Sequence, residues 1–158
     1  MLTNFFTDLE KAKGAEQIAL EVLSGYYGGW SIEDVSNDKL CYYKGDLKAT
    51  TTTGAIKYIE VKDDSRIADT KNILCEEFNY IKDADRMIKG NMFSAGDLYA
   101  VVSQSERKIY LLDYAKLREI YTKGQYKIIN HAQQVTYCYL LELCRAKQWG
   151  ALIDTISY

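Results

Sequence analysis

Apolar residues recur every three to four positions between Asn4 and Leu23, a spacing that predicts a single helix. Glu16 falls on or beside the apolar stripe of this helix. A carboxylate in a buried position is costly unless it has a partner. Glu16 is therefore either a functional group that points inward or a surface residue at the edge of the stripe, and both interpretations are open at this point.

The stretch from Leu40 to Lys62 predicts a β-hairpin, because its second arm is rich in β-branched and aromatic residues. The simplest connection is the three-residue loop Thr52–Gly54, with the glycine in the left-handed conformation that such loops require. Counting outward from this loop pairs Asp46 with Glu60 across the ladder. Because side chains alternate along a strand, Lys62 lies on the same face as Glu60. The hairpin thus gathers two carboxylates and an ammonium in one small patch.

The rest of the chain predicts helices and strands around this hairpin. Trp30–Asp38, before it, is expected to be a loop or a weak helix. After it, the expected elements are a helix from Arg66 to Ile81, a strand pair over Asp97–Ser103 and Lys108–Asp113, a short helix over Tyr114–Tyr121, a strand or extended loop over Gln125–Asn130, and a long helix over Ala132–Lys147. The continuous apolar run Leu98–Val102 indicates a strand covered on both faces. This order predicts one α/β domain spanning residues 1–158, with a mixed central β-sheet flanked by helices.

Charge and composition narrow the function classes. A net charge of −2 argues against a protein that holds nucleic acid by bulk electrostatics, although a local basic strip would be sufficient. The four cysteines show no CxxC spacing, so a zinc site is not expected. The single histidine, His131, has no serine or cysteine nucleophile pattern beside it, and no phosphate-cradling glycine motif occurs. With neither a signal peptide nor an apolar membrane-spanning run in the sequence, we expect a cytoplasmic protein.

The paired carboxylates of the hairpin indicate a cation. Like charges that face each other across a ladder destabilise a sheet, and a divalent cation bound between Asp46 and Glu60 would remove that repulsion. Carboxylate oxygens suit Mg²⁺ or Mn²⁺. Lys62 would then lie beside the cation, where it could orient or deprotonate a water molecule or stabilise charge on a phosphate. In the structural alternative, Asp46 and Glu60 are surface residues of the hairpin, and Lys62 is their ion-pair partner.

The segment Gly45-Asp46, followed by a short hairpin and then by Glu60-Val61-Lys62, resembles the active-site signature of the PD-(D/E)XK nuclease superfamily. Gly45 stands in place of the usual proline. Upstream, Lys13–Ala19 resembles the first helix of the Holliday-junction-resolvase-like and phage nuclease branch, in which a glutamate points into the site. The resemblance implies a restriction-endonuclease-like core in the order helix, hairpin, helix, hairpin, helix. The order of elements predicted above agrees with it.

The resemblance also implies an activity, that of a Mg²⁺-dependent DNA nuclease that hydrolyses phosphodiester bonds and is selective for DNA structure in recombination or repair. Asp46 and Glu60 would bind Mg²⁺, with Mn²⁺ as a substitute. The Val61 carbonyl would be a further ligand, and Glu16 would reach the ion directly or through water. Lys62 would position and activate the attacking water. The alternative is a catalytically inactive module of the same fold that binds nucleic acid or a protein partner.

DNA is thus the expected partner, and polar residues around the hairpin are candidates to contact it. These candidates are Lys44, Lys48, Arg66 and Asn72. The two lysines also fit ordinary solvated side chains, which is the simpler interpretation. The apolar helix predicted at the C-terminal end is a candidate interface for a homodimer, because resolvases of this type cut two symmetric strands. For a phage-encoded protein, the expected location is the host cytoplasm.

Overall fold

The computed structural model describes the backbone of residues 2–41 and 43–158 and the side chains of residues 14–41 and 43–158. The α-helices of this part are α1 (Leu2–Tyr26), α2 (Ile67–Thr70), α3 (Tyr114–Ile120) and α4 (Leu143–Gln148), and short 3₁₀ helices cover Asn91–Phe93 and Tyr121–Lys123. The strands are β1 (Ser31–Asp34), β2 (Leu47–Thr50), β3 (Ile56–Asp63), β4 (Asn72–Ile81), β5 (Arg86–Lys89), β6 (Leu98–Ser103), β7 (Lys108–Asp113), β8 (Gln125–Asn130), β9 (Gln134–Glu142) and β10 (Leu152–Ser157). Among the described helices, none combines the length and the apolar composition needed to cross a membrane.

Six strands form a mixed central sheet in the order β1-β2-β3-β6-β7-β10. Neighbouring strands are antiparallel except for β3 and β6, which run parallel. Four further strands form an antiparallel sheet in the order β5-β4-β9-β8. The predicted α/β fold with a mixed central sheet is confirmed, and the four-stranded sheet is an addition that the sequence pattern does not predict.

The central sheet is covered on both faces. On one face, α1 packs through Ala15, Ala19 and Leu23, which are buried against the sheet. On the other face, the four-stranded sheet and α3 form a second core around residues that include Tyr99. Strand β6 lies between the two cores with all of its residues buried, as the apolar run Leu98–Val102 predicts.

The predicted hairpin is confirmed from Leu47 onward as the pair of β2 and β3, whereas the described residues between Leu40 and Asp46 lie outside any strand. Leu47 pairs with Ile59, a register that puts the preceding Asp46 opposite Glu60. The connection is the loop Thr52–Gly54, whose glycine has a φ of +82°. The predictions of α1, of the pair β6 and β7, of α3 and of β8 as a strand are also confirmed.

The helix predicted from Arg66 to Ile81 is wrong beyond its first turn. Only α2 is helical there, and Lys71 ends it in the left-handed conformation with a φ of +53°. Strand β4 follows at once and buries Ile73 and Cys75 at alternate positions. Short apolar segments fit a helical and a strand period about equally well. Here the pairing of β4 with β9 along its whole length favours the strand.

The helix predicted over Ala132–Lys147 is also wrong, because most of this segment forms β9 and only its end forms α4. Strand β9 is an inner strand of its sheet and is buried on both faces, through Cys138 on one face and Leu141 on the other. Apolar residues are therefore widely distributed in this segment because the strand is buried on both of its faces. Because this helix does not form, the homodimer interface predicted on it is not supported.

The sequence pattern also misses three edge strands, β1, β5 and β10. The first lies inside Trp30–Asp38, for which the sequence predicts a loop or a weak helix. All three are largely exposed or half-buried. An exposed edge strand has little apolar periodicity, which explains why a hydrophobic pattern does not detect it.

Candidate active site

An open cleft lies where the hairpin meets the four-stranded sheet, with a volume of about 1000 Å³. Asp46, Glu60, Val61 and Lys62 line it from the central sheet, and Glu16 of α1 lines the same cleft. Residues of β4, of β5 and of the segment after β5 line the opposite side. The structure therefore brings all the predicted catalytic and metal-binding residues around one space.

Gly45 allows Asp46 to approach β3 closely. Its φ is +150°, and a Cβ atom at this position would lie 2.7 Å from the Ile59 carbonyl oxygen. Proline has a φ fixed near about −65° and could not replace it. The Asp46 N–H donates to the same Ile59 carbonyl at 2.9 Å, which holds the aspartate beside β3. The backbone conformation and the close approach to β3 thus require a glycine at this position.

The Asp46 carboxylate occupies a free edge of β3. Because β2 begins only at Leu47, it does not extend along β3 past Ile59. Asp46 Oδ2 accepts a hydrogen bond from the Val61 N–H at 2.8 Å, a bond that the carbonyl of a neighbouring strand would otherwise accept. The N–H and C=O of one strand residue point to the same edge, so the Val61 carbonyl is directed to the side of the carboxylate.

Glu60 is a half-buried carboxylate whose ionisation the site opposes. Burial raises the pKa of Glu60 to about 7, and the neighbouring charge of Asp46 adds to the increase. Burial also raises the pKa of Asp46, although the hydrogen bond from Val61 works against this increase. Ser94 Oγ donates to Glu60 Oε2 at 3.2 Å. Two such carboxylates favour a bound proton or cation that offsets the second negative charge.

Lys62 projects from the same face of β3 as Glu60. In the parallel register with β6, Glu60 pairs with Tyr99 and Lys62 with Val101, two residues of the core beneath the four-stranded sheet. Lys62 Nζ donates to Glu76 Oε1 across the cleft at 2.7 Å. The positive charge of Lys62 also lowers the pKa of Glu60, by less than burial raises it.

Glu16 occupies the position that the inward interpretation requires. It follows Ala15, which is buried against the central sheet, and is itself half-buried. Its place in the lining of the cleft distinguishes it from an exposed residue at the edge of the stripe. The structure thus adds a third carboxylate to the same space as Asp46 and Glu60.

The four nucleic-acid candidates lie outside the lining of this cleft. Lys48 forms a salt bridge with Glu33 at 2.8 Å on the outer strands. Lys44 places its Nζ over a tyrosine ring, 4.7 Å from the centroid. Arg66 lines a smaller cavity of about 230 Å³, and Asn72 lines another. The cavity at Arg66 shares lining residues with the cleft, including Lys62, whereas the cavity at Asn72 shares none.

The opposite wall contributes residues from outside α1 and the hairpin. Glu76 and Asn79 come from β4, and Asn91 and Ser94 come from the segment after β5. One residue in the sequence points to this wall. At Gly90, a Cβ atom would lie 2.6 Å from the Glu76 carbonyl carbon, so the close approach needs a glycine. The sequence shows the glycine, but it does not predict β4, the strand that the glycine approaches.

The donor set of the hairpin fits a hard divalent cation. Asp46 and Glu60 offer carboxylate oxygens and Val61 a carbonyl oxygen, which are the ligands that Mg²⁺ prefers. Within the described residues, no group of three or more Asp, Glu, His or Cys side chains is arranged to hold a metal ion. Mg²⁺ commonly binds through one or two carboxylates and completes its shell with water and phosphate. These oxygen ligands therefore suit a cation that is bound partly by the protein and partly by the substrate.

Comparison with known proteins adds evidence on the fold. No protein family matches the chain by sequence, and no curated protein matches it. Among solved structures, the chain is similar to the bacterial homing endonuclease I-Ssp6803I, with a TM-score of 0.50 and 13% sequence identity. The match covers 80% of this chain and 74% of that chain. At this identity the similarity shows a nuclease-like α/β fold.

Proposed function

We propose that this protein is a metal-dependent nuclease that hydrolyses phosphodiester bonds in DNA, with a site of the PD-(D/E)XK type. The observation that carries the proposal is the convergence of Asp46, Glu60 and Lys62 on one cleft at the end of a short hairpin. The similarity of the fold to a homing endonuclease supports it.

Asp46 and Glu60 bind Mg²⁺ in this proposal, and the Val61 carbonyl is a further ligand. Glu16 reaches the ion directly or through water. Mn²⁺ substitutes for Mg²⁺ because it accepts the same oxygen ligands. When bound, the ion supplies positive charge that polarises a phosphoryl oxygen and lowers the pKa of a bound water.

Lys62 positions the attacking water and offsets the negative charge that develops on the phosphate. Its ion pair with Glu76 requires the ammonium form. An orienting and electrostatic role therefore suits Lys62 better than abstraction of a proton.

We infer that the substrate is DNA of a particular structure, in recombination or repair. The inference depends on Glu16, because a glutamate on the first helix that points into the site is a feature of the resolvase-like branch. The half-buried position of Glu16 on the cleft supports this placement.

Cleavage of single-stranded, duplex, flap and four-way-junction DNA in Mg²⁺ and Mn²⁺ tests the proposal. We expect the wild type to cut at least one of these substrates, and only when a cation is present. Asp46→Ala, Glu60→Ala and Lys62→Ala should each lower the cleavage rate by about 100-fold or more while the circular dichroism spectrum stays unchanged. Lys116→Ala, an exposed residue of α3 outside the cleft, is the control and should cut like the wild type.

Full activity in all three cleft variants would overturn the proposal. A wild type that binds DNA but cuts none of the four substrates would instead favour the inactive nucleic-acid-binding module.

A further inference from the structure

The Lys62 ammonium is paired with a carboxylate from the four-stranded sheet. Its Nζ lies 2.7 Å from Glu76 Oε1, and the Glu76 side chain is only 14% exposed. Among the described residues, Lys62 forms this salt bridge and none with Asp46 or Glu60. The pair therefore joins the two walls of the cleft and directs the ammonium away from the hairpin carboxylates.

Glu76 is itself held through its backbone. Its N–H donates to Asn91 Oδ1 at 2.9 Å, and Asn91 Nδ2 donates to the hydroxyl of the buried Tyr99 at 2.8 Å. The Gly90 backbone packs against the same residue, so that a Cβ atom there would lie 2.9 Å from Glu76 Cβ. These contacts fix the origin of the Glu76 side chain relative to β6.

A buried hydrogen-bond network orients the other oxygen of the Glu76 carboxylate. Asn79 Nδ2 donates to Glu76 Oε2 at 3.4 Å. Thr136 Oγ1 donates to Asn79 Oδ1 at 2.7 Å, so the amide oxygen faces the hydroxyl and the amide nitrogen faces Glu76. Asn79 and Thr136 are both buried. Satisfied buried networks of this kind specify one orientation, and this network extends from β9 to Lys62.

We propose that Glu76 is a positioning residue for the nuclease reaction. It holds the Lys62 ammonium beside Asp46 and Glu60 but separate from them, so that the ammonium and the divalent cation occupy different places. Without the Glu76 charge, the Lys62 ammonium can turn toward the carboxylates of Asp46 and Glu60, which line the same cleft, and there it competes with the cation. The inference rests on the proposed function and assigns a part of the site to the four-stranded sheet.

Calorimetric titration with Mn²⁺ tests this role without substrate. Glu76→Gln should weaken Mn²⁺ binding by about 10- to 100-fold, a typical effect for a residue that supports metal ligands from outside the coordination sphere. Adding Lys62→Met should restore the affinity, because the competing ammonium is then absent. Glu76→Asp, which keeps the charge, should bind Mn²⁺ more tightly than Glu76→Gln.

The matched control is Glu77→Gln, which removes the same charge one residue further along. Glu77 Oε1 accepts a hydrogen bond from the Tyr121 hydroxyl at 3.0 Å and does not line the cleft. We expect Mn²⁺ binding like that of the wild type. In DNA cleavage, Glu76→Gln should lower kcat by about 10- to 100-fold with KM little changed, and Glu77→Gln should leave both unchanged.

Two results would overturn the inference while leaving the proposed function intact. One is wild-type Mn²⁺ affinity and cleavage in Glu76→Gln. The other is a double variant that binds Mn²⁺ as weakly as Glu76→Gln, since Glu76 would then be a metal ligand or a structural residue. A wild type that neither binds Mn²⁺ nor cuts DNA would instead remove the proposed function, and this inference with it.

Discussion

In the folded protein, burial and the negative charge of Asp46 both oppose the ionisation of Glu60. Its pKa is about 7 in the fold, compared with an ordinary value of 4.5. Between these two pH values the folded state binds more protons than the unfolded state. The free energy of unfolding of the cation-free protein therefore decreases as the pH rises through this window, and the decrease is complete above pH 7.

The substitution Glu60→Gln removes this ionisation and should stabilise the cation-free protein above pH 7. We predict a gain of about 1 to 3 kcal/mol at pH 8 and little difference at pH 4, because one pKa unit corresponds to about 1.4 kcal/mol and solvent screens part of the effect. Urea unfolding of both proteins between pH 4 and pH 8 in the presence of a chelator measures it. If the two stability curves run parallel across this range, Glu60 ionises without the cost that the structure indicates.

At the scale of secondary structure, the correct predictions are those in which local sequence determines the element. The hairpin follows from one loop glycine and one strand pattern, which is why Asp46, Glu60 and Lys62 could be placed together from sequence. The segments that form β4 and β9 are different, because they become strands by pairing with each other although they are far apart in the chain. Since Glu76 enters the cleft through that pairing, the positioning role that we propose for it could not be predicted from sequence.

The hairpin itself offers a comparison of two glycines with positive φ. Gly54 has open space around its Cβ position, so Gly54→Ala should lose only about 1 kcal/mol of stability from backbone strain. Gly45 has in addition the Ile59 carbonyl within 2.7 Å of a Cβ atom, so Gly45→Ala should lose about 2 to 4 kcal/mol. Urea unfolding at pH 7 gives both values. Equal losses would mean that Gly45 is not needed for the close approach of Asp46 to β3.

At the scale of the whole molecule, the site is formed where two sheets meet. The central sheet supplies the carboxylates of the hairpin, α1 supplies Glu16, and the four-stranded sheet supplies the partner of Lys62. The proposed cation ligands thus come from the central sheet and α1, whereas the position of Lys62 also depends on the four-stranded sheet. The proposed function depends above all on Asp46 and Glu60 converging on one place where a divalent cation binds.

A calorimetric titration of the folded protein with Mn²⁺ tests that claim most directly. The wild type and Lys48→Ala should show saturable binding with the same affinity, and Asp46→Asn and Glu60→Gln should each abolish it, because each removes a charged ligand of the same ion. A wild type that shows no saturable binding, or carboxylate variants that bind Mn²⁺ as tightly as the wild type, would contradict the account.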